Sequence, residues 1–353
     1  MDKRYFSDKV VKWYEQNKRD LPWRATTDPY KIWLSEVILQ QTRVNQGLPY
    51  YQRFVDKYPT VSALASASQQ EVLRLWQGLG YYSRARNLHE CAQQVVDIHG
   101  SCFPDNYEAL RKLKGIGDYT AAAIASFAYR ERVAVVDGNV FRVLSRVFGI
   151  DAPIDTTDGK KKFNALANEV IDSKKPDLHN QAVMEFGALH CTPKAPNCED
   201  CIFKPGCFAA QRQMQDLLPV KLKSTAVRIR YFYYFVVQKG DSYLMKKRTE
   251  KDIWQGLFDF FMLEESEPAK FEVLIERFNA INCLHLQAED FAISDNYKHI
   301  LSHQIINAKF IFLKGSSKNF LKEPFAFYTT KKIEELPKPV LISRFLSDFQ
   351  LLS

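Results

Sequence analysis

Two acidic residues stand where a carboxylate could take part in catalysis, and the first is Glu36. It lies in the run from Tyr30 to Val44, where apolar side chains fall nearly all around the predicted helix and Ile32 and Trp33 flank it. A carboxylate in such a setting is costly unless it is paired or protonated. Two interpretations stay open: Glu36 pairs with Arg43 or another cation, or it is an acid of raised pKa that donates a proton.

The second carboxylate, Asp137, precedes Gly138-Asn139 and the helical run VFRVLSRVFG. An aspartate at this place most often caps a helix, and the local sequence leaves a catalytic role open. Upstream, Gly115-Ile116-Gly117 separates two predicted helices and leaves backbone N–H groups free at the start of the second. These groups and the helix dipole can bind a phosphate, although Gly-x-Gly also occurs in ordinary turns.

Four of the seven cysteines form one cluster with the spacing Cys-x6-Cys-x2-Cys-x5-Cys. They are Cys191, Cys198, Cys201 and Cys207. Without a secretion signal, such a cluster predicts a metal site rather than disulfides, and four thiolates can hold zinc or an iron–sulfur cluster. The remaining three, Cys91, Cys102 and Cys283, are scattered, and we expect them to be buried thiols.

Length and composition indicate an ordinary globular protein that acts away from membranes. The 353 residues suggest about two domains. No run of about 18 apolar residues occurs, so we expect no membrane partner. The N-terminus lacks an apolar signal region, which favours the cytosol or, in a eukaryote, an internal compartment reached by an unrecognised targeting signal. The net charge of +8 suits a polyanionic partner, although many basic proteins bind none.

The elements that must position these residues change character along the chain. Helical periodicity accounts for the chain up to the cysteine cluster, with a break at Gly78-Leu79-Gly80-Tyr81-Tyr82, whose two tyrosines could be core residues or a wedge in a base stack. Residues 212–227 have no clear period and predict a linker. Beyond it, β-rich runs and two helices predict a second, α+β domain that opens with a hairpin at Lys239-Gly240-Asp241.

Taken together, six motifs in order resemble those of the MutY family, the adenine DNA glycosylases of the helix–hairpin–helix superfamily. The resemblance covers nearly the whole chain, and the six together are far more specific than any one. The motifs are Leu21-Pro22-Trp23-Arg24, the run SEVILQQT at 35–42, Gly78-Leu79-Gly80-Tyr81-Tyr82, Leu113-Lys114-Gly115-Ile116-Gly117, Val136-Asp137-Gly138-Asn139-Val140 and the cysteine spacing.

The resemblance implies the fold class and the division of the chain. It implies an all-α helix–hairpin–helix glycosylase region with an iron–sulfur cluster loop at 1–215, comprising a six-helix barrel module at about 28–136 and an iron–sulfur module made of 1–27 and 137–215. A linker at 216–227 and a MutT/Nudix-like α+β domain at 228–353 follow. True Nudix hydrolases carry a Glu-rich metal box that this chain lacks after Gly256. We therefore expect recognition of 8-oxoguanine without pyrophosphatase activity.

The resemblance also implies a role for each motif residue. Glu36 would protonate adenine, Asp137 would stabilise the sugar cation, Asn139 would orient Asp137, and Tyr119 would lie near the sugar. The DNA- and base-binding residues would be Trp23, Arg24, Gln41, Tyr81, Gly115, Gly117, Gln181, Ser302 and His303. Within the family's Phe-Ser-His triplet this chain has Leu301-Ser302-His303, so only the last two residues match.

The implied activity is monofunctional removal of adenine from A:8-oxoguanine and A:G pairs in double-stranded DNA. Lyase members of the superfamily, such as endonuclease III, carry a nucleophilic Lys two residues after the second Gly of the hairpin, where this chain has Tyr119. A phenol cannot form a Schiff base, so strand cleavage is not expected. The resemblance further implies a [4Fe–4S] cluster on the four clustered cysteines, and we expect a monomer in a bacterial cytoplasm, associated with the nucleoid through DNA.

Overall fold

The computed structural model describes residues 1–222, 227–314 and 324–349 and divides into two compact units. The first comprises Met1–Ser66 and Asn87–Lys223, and the second comprises Ala67–Arg86 and Ser224–Ser353. The second unit thus takes in a helical segment from the N-terminal half of the chain. Part of the expected linker, residues 223–226, lies outside the described residues.

The N-terminal part of the chain is helical, as its periodicity predicts. Its helices are α1 (Lys3–Asn17), α2 (Pro29–Leu39), α3 (Val44–Lys57), α4 (Val61–Ala65), α5 (Gln69–Trp76), α6 (Ser83–His99), α7 (Tyr107–Leu110), α8 (Asp118–Tyr129), α9 (Gly138–Phe148), α10 (Thr157–Val170), α11 (Pro176–Leu189) and α12 (Phe208–Arg212). Of these, α5 and the first turn of α6 belong to the second unit.

Helix α2 is the buried helix of the first unit. Asp28 caps it by accepting the N–H of Tyr30, and Pro29 occupies the first helical position, which is the helix start that an Asp-Pro pair predicts from sequence. All residues from Ile32 to Ile38 are buried, because apolar side chains surround the helix. A separate core joins α1, α9, α10 and α11 around residues such as Phe6, Phe163 and Phe186.

The rest of the second unit is α+β. Its strands are β1 (Arg228–Val236), β2 (Gln238–Lys239), β3 (Ser242–Lys247), β4 (Phe258–Asp259), β5 (Phe261–Glu265), β6 (Phe291–Ile293), β7 (Tyr297–Ile300), β8 (Gln304–Leu313) and β9 (Ala326–Thr329), and its helices are α13 (Phe271–Asn282), α14 (Thr330–Glu335) and α15 (Val340–Asp348). Among the described residues one sheet has the order β5-β1-β8-β6, with β7 also on β8, and a second has the order β2-β3-β4, with β9 on β3. Strands β1 and β8 are parallel, and the other pairs are antiparallel.

Two cysteine predictions were wrong and one was correct. Cys91 is buried on α6, but Cys102 and Cys283 are exposed, because each follows the end of a helix at the surface. Within the described ranges, no helix is both long and apolar enough to cross a membrane.

Candidate active site

The first unit contains a cavity of about 500 Å³ that gathers residues far apart in the sequence. Seven of the fourteen site residues predicted in this unit line it, whereas Gln41, the two hairpin glycines and the four clustered cysteines do not. The seven are Trp23, Arg24, Glu36, Tyr119, Asp137, Asn139 and Gln181. The two predicted catalytic carboxylates, brought in by α2 and by the start of α9, therefore share one cavity.

Glu36 is a buried carboxyl group bonded to a phenol. It is 8% exposed, and the hydroxyl of Tyr119 donates to its Oε2 at 2.6 Å. The pKa of Glu36 is raised to about 7, mainly by burial; the Tyr119 hydrogen bond and the Arg24 charge oppose the rise, and the Asp137 charge adds to it. Among the described residues it forms no ion pair, so the pairing with Arg43 is not observed. Glu36 can therefore hold a proton near neutral pH.

Asp137 caps α9 and faces the same cavity. Its Oδ1 accepts the backbone N–H groups of Asn139 at 2.9 Å and Val140 at 2.8 Å, and its Oδ2 accepts the Asn139 side-chain amide at 2.8 Å. Burial raises the pKa of Asp137, and these three bonds oppose the rise. The Arg142 guanidinium donates to Oδ1 of Asn139 at 2.7 Å, which fixes how the Asn139 amide faces Asp137.

The turn at Gly115-Ile116-Gly117 and the first residues of α8 place free backbone N–H groups close in sequence to Tyr119, which contacts Glu36. Gly117 precedes α8 without any side-chain cap, so the first N–H groups of that helix lack a partner within it. Gly115 has a φ of +73°, and a Cβ there would lie 2.7 Å from the Cβ of Asn87. Only glycine suits such a position. Because Tyr119 is the second residue of α8, the same turn that exposes the amides aims its phenol at Glu36.

The lining of the cavity also contains two charged residues that the sequence analysis missed, Arg19 and Glu185. Glu185 on α11 accepts two hydrogen bonds from the Arg24 guanidinium and two from that of Arg19, and these arginines lower its pKa to about 2. Glu185 lies one helical turn after Gln181, on the same face of α11. That spacing was the available signal for Glu185, whereas no local pattern pointed to Arg19.

Two predicted DNA-facing residues have strained backbones. Gln41, just after α2, has a φ of +55° and is exposed; Tyr81, in the Gly78–Tyr82 break, has a φ of +47° and is 40% exposed. Such values are rare for residues with side chains and concentrate at functional sites. Tyr82, by contrast, is buried, as expected of a core residue, whereas the role of Tyr81 as a wedge stays a prediction.

The second unit has its own cavity of about 500 Å³, and three predicted residues line it. The Tyr81 hydroxyl donates to the hydroxyl of Ser302, and His303 is the next residue along the same wall. Trp254 and His299, which the sequence analysis did not single out, also line this cavity, with ring centroids 5.8 Å apart. Aromatic and hydroxyl groups together suit a flat polar ligand such as a nucleobase.

The four clustered cysteines line one small cavity beside α9 and α11. The Phe203 N–H donates to Sγ of Cys201 at 3.4 Å, and Arg146 Nη1 donates to Sγ of Cys191 at 3.5 Å. Donors of this kind stabilise thiolates that bind metal. In the described part of the chain, no three metal-binding side chains are arranged as ligands of a single ion.

Sequence profiles of two families match the chain. Residues 34–171 match the profile described as HhH-GPD superfamily base excision DNA repair protein, and residues 233–348 match the NUDIX domain. The first range includes Glu36, Tyr119 and Asp137, and the second includes Ser302 and His303.

Relatives of known name match over different shares of their length. The adenine DNA glycosylase of Buchnera aphidicola subsp. Acyrthosiphon pisum is 30% identical over 353 residues, which is 99% of each chain. The human adenine DNA glycosylase is 45% identical over 222 residues, covering 60% of this chain and 41% of the human protein. The chain therefore matches about two fifths of the human relative and nearly all of the bacterial one.

Solved structures resemble the chain over about three fifths of its length. A thermostable thymine-DNA glycosylase superposes with a TM-score of 0.56 and 29% identity, covering 60% of this chain and 97% of that one. Endonuclease III, trapped as a covalent intermediate with DNA, superposes with a TM-score of 0.53 and 22% identity, covering 61% and 99%. The second likeness concerns the fold alone.

Proposed function

Since the chain belongs to the adenine DNA glycosylase family, we propose that it removes adenine opposite 8-oxoguanine, and opposite guanine, from double-stranded DNA by hydrolysing the N-glycosidic bond. The observation that carries this proposal is the shared cavity of the first unit, in which a carboxyl group with a pKa of about 7 lies beside a second carboxylate. Two carboxyl groups with different environments suit glycoside hydrolysis, which needs an acid and a stabiliser of positive charge.

The two carboxyl groups divide the chemistry between them. The adenine must first leave the base stack to reach the cavity. Glu36 then donates its proton to N7, which turns adenine into a leaving group, and the electrons of the N-glycosidic bond depart with the base. Asp137 stabilises the sugar cation that remains, and Asn139 holds Asp137 in place. Glu36, now ionised, takes a proton from the water that attacks the sugar.

The pH dependence of the reaction follows from the Glu36 pKa of about 7. Only the protonated acid can donate, so we expect the single-turnover excision rate to be lower at pH 8 than at pH 6 and to fall about tenfold per pH unit above about pH 8. Rates measured from pH 5 to pH 9 test this. The residual activity of Glu36→Gln should lack the fall. A rate that increases between pH 6 and pH 8 would contradict the acid role.

Tyr119 makes the proposed enzyme a glycosylase without lyase activity. Burial and the carboxylate charges of Glu36 and Asp137 raise the pKa of Tyr119 well above its usual range, so its phenol keeps its proton and donates to Glu36. No amine is available at this position to trap the sugar. Borohydride treatment during the reaction should therefore yield no covalent protein–DNA complex, and a high yield of one would overturn this part of the proposal.

The glycine hairpin is proposed to bind a DNA phosphate through backbone N–H groups. At Gly117 an added Cβ meets nothing within 4 Å, so Gly117→Ala should fold normally, but its methyl group would obstruct a phosphate and weaken DNA binding about tenfold. Gly115→Ala should instead lose about 1–3 kcal/mol of stability, because of its positive φ and the nearby Asn87. Binding assays and thermal unfolding separate the two effects. Unchanged affinity in Gly117→Ala would contradict the phosphate role.

We propose that the two residues with positive φ, together with residues of the second unit, recognise the 8-oxoguanine that pairs with the adenine. Tyr81 and Gln41 would wedge beside 8-oxoguanine, while Ser302 and His303 would contact it. The hydrogen bond between Tyr81 and Ser302 supports a joint role, since it joins two of these residues in one cavity wall. In the first unit, Trp23, Arg24 and Gln181 would line the pocket for the extruded adenine.

We propose that the four clustered cysteines hold a [4Fe–4S] cluster. Their all-thiol donor set, the N–H groups aimed at sulfur and the shared cavity suit a cluster or a zinc ion, and the resemblance of the cysteine spacing to the family's motif favours the cluster. When bound, the cluster would stabilise the loop and position it on DNA without taking part in hydrolysis.

Metal analysis tests the cluster directly. The purified protein should be brown and contain about four iron atoms per chain. Cys198→Ser should lose most of the iron and weaken DNA binding, whereas Cys102→Ser, which removes an exposed thiol outside the cluster, should keep both. Stoichiometric zinc without iron in the wild-type protein would contradict the assignment.

The decisive test of the proposed function is single-turnover excision across matched duplexes. Adenine, thymine or uracil is placed opposite guanine or 8-oxoguanine, and Glu36→Gln serves as the control. We expect release of adenine alone, fastest opposite 8-oxoguanine. Release of thymine or uracil opposite guanine would contradict the proposal and support a thymine- or uracil-removing enzyme, since a thymine-DNA glycosylase is among the similar structures.

Our proposal extends to the domain boundaries, the oligomeric state and the localisation of the protein. We propose a catalytic region at 1–215, a linker at 216–227 and a recognition domain at 228–353, working as a monomer on chromosomal DNA in a bacterial cytoplasm. Sedimentation at micromolar concentration tests the oligomeric state. A stable dimer would contradict it.

A further inference from the structure

A buried tyrosine outside the predicted site contacts one residue of the cavity wall. Tyr14 on α1 is 2% exposed, and its hydroxyl lies 2.6 Å from Oε1 of Gln181 on α11. Gln181 is half-buried and lines the cavity that holds Glu36 and Asp137. The bond therefore joins a helix at the start of the chain to the wall where the extruded base would lie.

The length of this bond shows which atom of the amide faces Tyr14. A separation of 2.6 Å is typical of a hydroxyl that donates to a carbonyl oxygen, whereas an amide N–H donating to oxygen lies nearer 2.9–3.0 Å. Burial also raises the pKa of Tyr14, so the hydroxyl keeps the proton it donates. The carbonyl oxygen of Gln181 thus points to Tyr14, and its NH2 group points the other way.

The neighbouring carboxylate does not compete for that NH2 group. Both oxygens of Glu185 are occupied by N–H donors of Arg19 and Arg24. Among the described residues, Nε2 of Gln181 has no hydrogen-bonding partner in the protein. A donor with free capacity therefore stands at the wall of the cavity.

We propose that Tyr14 is a positioning residue that locks the Gln181 amide so that its NH2 group faces the extruded base. This rests on the proposed function. Adenine presents only acceptors at its ring nitrogens, so a fixed donor favours it, whereas guanine carries a hydrogen on N1 that would meet the donor unfavourably. Without Tyr14 the amide can turn over and present its carbonyl oxygen, which repels a ring-nitrogen acceptor.

The test is a double-mutant cycle on excision of adenine opposite 8-oxoguanine. Tyr14→Phe keeps the ring and removes one hydroxyl, and we expect the single-turnover rate to fall about tenfold. In a Gln181→Met background, the same change should alter the rate less than about twofold, because no amide is left to orient. Tyr30→Phe is the matched control: it removes a buried hydroxyl that donates at 2.6 Å to the Tyr58 carbonyl, and it should leave the rate unchanged.

Base analogues distinguish a role of Tyr14 in orienting the Gln181 amide from a purely structural role. Duplexes with 1-deazaadenine or 3-deazaadenine each lack one ring-nitrogen acceptor. We expect one of the two to slow the wild-type protein and to cause no further slowing in Tyr14→Phe. An equal effect of Tyr14→Phe in both Gln181 backgrounds, or no effect at all, would overturn the proposal. Failure of the wild-type protein to release adenine would instead overturn the proposed function, and it would be seen before any substitution.

Discussion

Glu36→Gln is expected to bind DNA containing A:8-oxoguanine with near-normal affinity and to excise adenine about 10²–10⁴-fold more slowly than the wild type. Glutamine keeps the size of the side chain and can still accept the hydrogen bond from Tyr119. It cannot deliver a proton to the base or later take one from water, so both acid and base steps are lost together. Single-turnover kinetics with binding measured in parallel test this, and excision within tenfold of wild type would sink the assignment.

The same substitution carries a prediction about stability. The folded-state pKa of Glu36, about 7, lies above its ordinary value of 4.5, so its stabilising contribution is complete below pH 4.5 and is lost as the pH rises through 7. Glutamine has no charge to bury. Glu36→Gln should therefore melt at a higher temperature than the wild type at pH 8 and at nearly the same temperature at pH 4. A lower melting temperature at pH 8 would contradict the burial argument.

Asp137→Asn is expected to slow excision about 10²–10³-fold, because a neutral amide cannot stabilise the sugar cation as a carboxylate does. The fold should survive. Both backbone N–H groups of the cap are accepted by a single atom, Oδ1, and the asparagine carbonyl can replace it. The cost lies at Oδ2, where an amide would face the donating amide of Asn139.

Asp28 serves as a control that separates the helix-capping role of Asp137 from its proposed catalytic role. Asp28→Asn makes the same change at the cap of α2, where Oδ1 accepts the N–H of Tyr30, but Asp28 does not line the cavity. Its excision rate should stay within about twofold of wild type, with a comparable small shift in melting temperature. If the two variants lost activity equally, Asp137 would be only a cap.

The sequence predicted the parts of the fold and site that local physical chemistry dictates. Apolar residues around α2 foretold a buried Glu36, and Asp28-Pro29 marked where that helix begins. Beyond the hairpin, the sequence predicted strands near 257–263, 303–314 and 325–329 but not β6 or β7, because these two are short, separated by Asp295 and Asn296, and defined mainly by pairing with β8. A strand that depends on its partner leaves little trace in its own residues.

The remaining parts of the site depend on contacts between distant segments. Glu185 meets Arg24 across 161 residues, and Tyr14 meets Gln181 across 167. No periodicity or cap relates such pairs, so a single sequence cannot reveal them without a resemblance that supplies the fold. Tyr119 is the intermediate case: the resemblance drew attention to its place two residues after Gly117, and the structure adds its hydrogen bond to Glu36.

The membership of Ala67–Arg86 in the second unit has a consequence for how the chain is made. Gln77 bonds to Lys338 and Ser343, and Arg86 donates to the carbonyl of Gln255. The ribosome synthesises α5 well over a hundred residues before these partners. Until they are translated, Leu73, which is buried in the folded protein, stays exposed to solvent. A nascent or truncated chain that stops at residue 222 therefore exposes the surface of α5 that the rest of the second unit covers, and we expect chaperones and proteases to act there.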